Sequence, residues 1–420
     1  MRIEHLIGGS FTGGGGEIAV FEPATGLSYA SLCDGGSAQI EAAVRAAQQA
    51  FPAWARLSSE ARAGWLEKLA LWIEQRLELF ASAESKDTGK PISTARQVDI
   101  PRVIQNFRFF ASLARCQQSQ AVIEGDGIWH TVLQQPLGVV ACISPWNLPL
   151  YLLSWKLAPA LAAGNTVIAK PSEITPMSAH LLAQASLEIG LPPSVLNIVH
   201  GRGASAGASL VAHQHVKAVS FTGSTAVGKA IAQATAPMLK KVSLELGGKN
   251  ASIVFADADL ERAVAETVRG GFSNQGQICL CGSRVLVEQS IFADFKARLL
   301  AQISELEPAD PALDATRFGA LTSLAHLHKV ERMVERAREE GGRVLLGGAR
   351  ASMQGRLAEG YFYLPTVLDL LPFECATNQE EIFGPVITLI PFENEEQALA
   401  MANGTAYGLA ASVWTQSLSR

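Results

Sequence analysis

Cys279 stands in a polar, glycine-punctuated stretch, Phe272 to Arg284 (FSNQGQICLCGSR), directly after an amphipathic helical pattern. A thiol placed in such a loop reads as a reagent rather than a packing unit. Upstream, Leu244-Glu245-Leu246-Gly247-Gly248-Lys249-Asn250 holds a carboxylate between apolar residues, followed by two glycines that let backbone approach closely. The pair suggests covalent catalysis by Cys279, then a step in which Glu245, expected to be half-buried, assists as a base.

Other residues of this kind recur along the chain, each open to a plainer reading. Ala218 to Thr222 runs into Gly223-Ser224-Thr225-Ala226-Val227-Gly228, which would set a glycine turn and a helix N-terminus against a pyrophosphate. The spacing lacks the middle glycine of the usual dinucleotide fingerprint, and an ordinary strand-to-helix turn reads the same way. Lys170 ends another strand-like run, with Glu173 three residues on. Such a pair could hold ribose hydroxyls and repel a 2′-phosphate, favouring NAD over NADP, or it could be a surface ion pair. Asn147, flanked by Pro145 and Pro149, is either a preorganised oxyanion donor or a proline-bounded turn. Glu381 and Phe383, beside Gly384-Pro385, carry no chemistry by themselves.

The elements that must position these residues follow from pattern and totals. A chain of 420 residues exceeds what one core usually serves, so two domains are expected. A net charge of -5 offers no basic field, which argues against nucleic acid or anionic membrane as a partner and for a small-molecule substrate. Six cysteines without regular spacing form no disulfide framework, and the N-terminus lacks a secretory pattern, so a reduced, cytoplasmic setting is expected. The apolar stretch Leu137 to Ala169 is broken by Pro145, Asn147, Pro149, Lys156, Pro159 and Asn165 and reads as strand, loop, helix and strand.

Ile40, Val44, Ala47 and Phe51 recur at helical spacing, as do Leu66, Leu69, Ile73, Leu77 and Phe80. Gly13 to Gly16 reads as a flexible surface turn. Ala121–Ile123 and Trp129–Leu133 flank Gly125-Asp126-Gly127 as a β-hairpin. From Val139 onward short apolar runs alternate with helical ones, and a second such series follows the Cys279 loop. That alternation builds parallel sheets with helices on their faces, hence two α/β domains joined near Leu244. The pairs His213/His215 and His326/His328 are spaced for one strand face, have no carboxylate or cysteine companion in sequence and are expected on the solvated surface. Cys281 is expected neither to pair nor to bind metal.

The order PWNLP, KPSE, FTGSTAVG, LELGGKN, NQGQIC and EEIFGPV resembles the aldehyde dehydrogenase superfamily along the whole chain. The resemblance implies two Rossmann-like parallel-sheet domains with a protruding oligomerisation hairpin. It sets residues 1–115 and 134–243 as the NAD-binding domain, 116–133 as the hairpin and 244–420 as the catalytic domain. It further implies Cys279 as nucleophile, Asn147 with the Cys279 N–H as oxyanion donors, and Glu245 as the base that activates water on a thioester. Lys170 and Glu173 would contact the adenosine ribose of NAD. Gly223, Ser224 and Gly228 would form the pyrophosphate turn, Glu381 and Phe383 the nicotinamide-ribose clamp, and Trp146 a wall of the cleft. No metal is implied, and the partners expected are a small-molecule aldehyde and further copies of the chain, as a dimer or tetramer.

Ile278-Cys279-Leu280-Cys281, with Asp99-Ile100-Pro101-Arg102 through Asn106–Ala111, is similar to the branch that oxidises 2-hydroxymuconate and 2-aminomuconate semialdehydes. Arg102 then matches an arginine that binds the substrate's remote carboxylate, against the simpler role of pairing at a helix start. General aliphatic or betaine-type aldehydes are the alternative substrates. Family members continue beyond the position of Arg420 into a glycine-rich segment. The resemblance therefore implies a shortened chain, either a working dehydrogenase or a remnant that binds NAD without turnover, with thiol esterase activity a third expectation.

Overall fold

The computed structural model describes residues 1–420. Two compact units compose it: Met1–Val20, Ser28–Glu84 and Ala95–Glu245 form the first, and Phe21–Leu27, Ser85–Thr94 and Leu246–Arg420 the second. Both are α/β with largely parallel sheets, as the alternation of apolar runs predicts.

The first unit's seven-stranded sheet is ordered Lys241–Glu245, Val216–Thr222, Val139–Ile143, Thr166–Lys170, Leu196–Ile198, His5–Ile7, Ser10–Thr12. Its first five strands run parallel, and His5–Ile7 is antiparallel to both of its neighbours. Val139–Ile143 and Thr166–Lys170 are buried at every residue, which explains their unbroken apolar character. From Val139–Ile143 the chain adds Thr166–Lys170 on one side and later Val216–Thr222 on the other. In a doubly wound sheet the crevice at the carboxyl ends of strands flanking such a reversal is where ligands bind.

Helix Ile100–Arg115 buries Val103, Ile104, Phe107 and Ala111, a one-face stripe, and packs on helices Ser59–Glu74 and Pro149–Ala162. Asn106 Nδ2 donates to Ser154 Oγ at 2.9 Å, pinning this helix to Pro149–Ala162. A π-helical turn, Ala95–Asp99, precedes it.

The second unit carries a six-stranded sheet ordered Arg343–Leu346, Thr366–Asp369, Val386–Phe392, Arg284–Glu288, Ala251–Val254, Ala411–Trp414. Only the first strand is antiparallel to its neighbour.

Three strands within the first twelve residues lay beyond pattern reading because they are two or three residues long, too short to show a period. Gly14 and Gly15, with φ of +125° and +76°, turn the chain from Ser10–Thr12 into Gly16–Glu22. Gln120–Ile123 pairs antiparallel with Trp129–Val132, and all eight of these residues are exposed. No helix is long and apolar enough to cross a membrane.

Candidate active site

In the first unit the chemistry-bearing residues gather at the carboxyl ends of adjacent parallel strands. Val139–Ile143 leads to Trp146 and Asn147, Thr166–Lys170 ends on Lys170 with Glu173 just beyond, Val216–Thr222 leads to Gly223 and Ser224, and the outer strand ends on Glu245. Asn147 is buried, and Pro149 opens the following helix at its first position, where a missing N–H costs nothing. Lys170 Nζ lies 2.8 Å from Glu173 Oε2, with the lysine side chain only 4% exposed. This is a largely buried pair, not the surface pair that sequence also allowed. Burial opposes the charge of Glu173. Attraction and hydrogen bonding from Lys170, with the Gly203 N–H, outweigh it and hold the carboxyl below its usual range.

Gly223 donates its N–H to Glu245 O at 3.0 Å, and any Cβ there would meet the Phe221 ring at 2.5 Å. A larger residue at the turn would have to displace that ring. Ser224 caps helix Thr225–Thr235 by accepting from the Val227 N–H, and the helix start is exposed with its remaining N–H groups outward. Gly228 is buried one turn in. The sheet end thus offers what a dinucleotide needs: a tight turn, an exposed helix N-terminus and a buried cation–carboxylate pair.

Glu245 is exposed rather than half-buried, which corrects the sequence reading. Its neighbours Leu244 and Leu246 are apolar, but its strand is the sheet's outermost, so one flank has no covering strand. Beneath it sits a residue that sequence reasoning passed over. Lys156 is buried, its Nζ is 3.4 Å from Ser220 Oγ, and burial lowers its proton affinity, opposed through space by Glu245. The available signal was a lone lysine inside the otherwise apolar helical run PLYLLSWKLAPALA.

Arg102 stands apart from the sheet, on helix Ile100–Arg115. Its guanidinium carbon is 5.9 Å from the Tyr151 ring centroid, and with Gln105, Arg108 and Phe109 it lines a cavity of about 790 Å³. Arg108 and Arg115 on the same helix are tied to Glu74 and to Glu60 and Glu67. Arg102 faces an aromatic ring instead of a carboxylate.

The second unit places its residues at the opposite polarity, in loops before the amino ends of parallel strands. The Cys279 loop precedes Arg284–Glu288, Gly247–Asn250 precedes Ala251–Val254, and Glu381–Pro385 precedes Val386–Phe392. Asn274, Gln275 and Gly276 all adopt left-handed backbone, a costly run for the first two. Gln277 holds it in place. Fully buried, its side chain donates to Asn274 O at 3.1 Å and accepts from the Thr322 N–H at 3.0 Å. Asn250 Nδ2 donates to Cys279 O at 2.6 Å and Cys281 O at 3.1 Å, while its Oδ1 accepts from the Ala410 N–H. Cys279 itself is partly exposed. Cys281 keeps some exposure as a residue, yet its thiol lies among protein atoms, and burial pushes it up to about 12.

Glu381 accepts the Gly248 N–H at 3.0 Å, and a Cβ on Gly247 would overlap its carboxylate. Burial raises the Glu381 carboxyl, opposed by that N–H and by Lys329 and Lys249. Phe383 sits at φ +63°, and its carbonyl is 2.7 Å from His326 Nε2. His326 is buried, and burial drives it down to about 4. It is not the solvated residue expected, although His328, two positions on, is exposed. His213 also departs from expectation: its Nε2 is 3.0 Å from Glu41 Oε2, a carboxylate distant in sequence.

Comparison with known proteins bears on both units. Residues 11–420 match the model of the aldehyde dehydrogenase family. The human 2-aminomuconic semialdehyde dehydrogenase is 45% identical, covering 100% of this chain and 87% of its own. The 2-hydroxymuconic semialdehyde dehydrogenase of Pseudomonas sp. strain CF600 is 43% identical over 100% of this chain and 88% of its own. An NAD+ complex of an aldehyde dehydrogenase from Bacillus cereus superposes with a TM-score of 0.96 at 37% identity, covering 100% of this chain and 85% of that one.

Proposed function

The chain belongs to the aldehyde dehydrogenase family, and from that premise we propose that its substrate is an aldehyde bearing a remote carboxylate, of the 2-hydroxymuconate or 2-aminomuconate semialdehyde kind. The reaction is NAD-dependent oxidation of the aldehyde to a carboxylic acid. The observation that carries the substrate reading is Arg102, beside the Tyr151 ring in an open hollow whose one carboxylate, Glu74, is paired with Arg108 and leaves Arg102 without an ion pair. The names of the similar enzymes support the same class.

NAD, when bound, supplies the hydride acceptor. Lys170 and Glu173 would hold its adenosine ribose, Gly223, Ser224 and the helix start its pyrophosphate with Gly228 packed beneath, Glu381 and Phe383 its second ribose, and Trp146 a wall of the cleft. The Cys279 thiolate bonds the aldehyde carbon, and the carbonyl oxygen takes the negative charge. Asn147 Nδ2 and the Cys279 N–H donate to that oxygen, stabilising it with little reorganisation. Once the carbon gives up its hydride, the C=O bond re-forms as a thioester. Glu245 then takes a proton from water, the water oxygen bonds the acyl carbon, and the C–S bond breaks to release the acid and the thiolate. An exposed carboxylate suits this last step, because the water it must activate has access to it.

The test is NADH formation by the purified chain, normalised to titrated Cys279, on 2-hydroxymuconate semialdehyde and on simple aliphatic aldehydes. The muconate substrate should give the higher kcat/KM. Arg102→Ala should raise its KM roughly 10- to 100-fold, the worth of a charge-assisted bidentate bond, and leave aliphatic aldehydes within about twofold. Equal losses for both classes would remove Arg102 as the selector, and a preference for aliphatic or betaine-type aldehydes would replace the substrate assignment.

A further inference from the structure

Helix Pro149–Ala162 begins just after Asn147, and its start is capped from another element. Leu148 at the N-cap makes no side-chain hydrogen bond, and Pro149 has no N–H to give. The first amide the helix offers is therefore that of Leu150. It donates to Glu84 Oε1 at 2.9 Å, across 66 residues of sequence. Glu84 stands on helix Leu77–Thr88 and is fully buried. Taking a carboxylate out of water is costly, and a helix N-terminus, with its aligned N–H groups, offsets part of that cost. The body of the helix is held by other means. Leu150, Leu153 and Leu157 are fully buried, and Ser154 Oγ accepts from Asn106 Nδ2 at 2.9 Å. Glu84 thus acts on the first turn rather than on the helix as a whole.

We propose that Glu84 is a positioning residue for the reaction: by fixing the Leu150 amide it sets the backbone from which Asn147 presents its side chain to the developing oxyanion. The inference rests on the oxyanion role given to Asn147 above. Only Leu148 and Pro149 separate the two residues, and the proline ring locks one torsion between them, so a displacement at Leu150 is carried back to Asn147. An oxyanion donor works only within about 0.5 Å of its productive place, so a small tilt of this turn costs rate. An apolar side chain would fill the same space at less cost to stability. A charged acceptor aimed at one amide serves geometry instead.

Stopped-flow NADH bursts test this in a double-mutant cycle with Asn147→Ala, at saturating NAD, on whichever aldehyde of the panel above gives the highest kcat/KM, and per titrated Cys279. Glu84→Met, similar in length but without an acceptor, should slow the burst roughly 10- to 100-fold. Glu84→Gln, whose amide oxygen still accepts, should stay within about fivefold of the wild type. In the Asn147→Ala background Glu84→Met should cost less than about twofold, because no donor is left to misplace. A side chain that only stabilises the fold would lower the unfolding midpoint and leave the burst per titrated thiol unchanged, and that result overturns the proposal. Equal losses in both backgrounds overturn it too, since Glu84 would then act through some other group. If Glu84→Met does not fold, Glu84→Asp, which keeps the charge but falls short of the amide, should show a smaller loss with the same dependence on Asn147. An Asn147→Ala variant with a wild-type burst would instead remove the oxyanion assignment itself, and this inference with it.

Discussion

Cys279 and Cys281 stand two residues apart with opposite prospects as nucleophiles. The Cys281 thiol, pushed up to about 12 by burial, stays protonated throughout the neutral range and is shielded from reagents. Substoichiometric iodoacetamide at pH 7, followed by peptide mass spectrometry, should therefore label Cys279 and spare Cys281; equal labelling would contradict this division. At Glu245 the expected signature is kinetic. Glu245→Gln should retain a burst of about one NADH per Cys279 while steady turnover falls roughly 10²- to 10⁴-fold, since only thioester hydrolysis needs the base. Unimpaired turnover would remove Glu245 from the role. The types and spacing of these residues were legible in the sequence, but the exposure of Glu245 was not. Flanking leucines suggested partial burial, and only the sheet order shows that its strand is outermost. Lys156 registered in sequence as an interruption of an apolar run; its meaning appears only when Cys142, Ser220 and Glu245 converge on it.

Helix Leu324–Glu339 illustrates how an element far from Glu381–Gly384 in sequence can hold that loop. His326 meets the Phe383 carbonyl, Lys329 Nζ donates to Glu381 O at 3.2 Å, and a Cβ on Gly384 would strike Val330 at 2.6 Å. The helix thereby sustains the left-handed backbone of Phe383, which would otherwise relax. Because burial drives His326 from 6.5 down to about 4, the unfolded chain binds a proton there that the folded one refuses. Its contribution is fully present above pH 6.5 and lost as pH falls toward 4, reaching about 3 kcal/mol. Gln at this position can still donate to the carbonyl but does not titrate. Urea denaturation at pH 7 and pH 5 should show a smaller loss for His326→Gln than for the wild type, whereas equal losses would place the proton elsewhere. His5, His180 and His200 are lowered in the same direction, so the difference between the two proteins isolates His326. The helix was legible from its period, but spacing of two residues could not say which histidine faces inward. On a helix such neighbours point about 200° apart, so one is buried where the other is exposed.

At the scale of the whole molecule, hairpin Gln120–Ile123/Trp129–Val132 presents an unresolved balance of forces. Four residues a side, exposed throughout, make a ribbon with no core of its own, and an isolated two-stranded hairpin is at best marginally stable in water. Val122, Ile123, Ile128, Trp129, Val132 and Leu133 are all more than half exposed, a concentration of apolar side chains that water disfavours. The register places Val122 and Val132 on one face of the ribbon and Ile123 and Trp129 on the other, so both faces call for cover, and the family resemblance implies that further copies of the chain supply it. The net charge of -5 opposes self-association only weakly over this length, so apolar burial decides the outcome. Sedimentation of the wild-type chain should give a mass that is a multiple of 44.6 kDa, and Val122→Lys with Trp129→Lys should release the monomer while circular dichroism stays unchanged. Because both substitutions lie on exposed strand positions away from every residue assigned to catalysis, loss of assembly can be separated from loss of fold. An unaltered sedimentation coefficient in the double variant would show that the hairpin is not where copies meet.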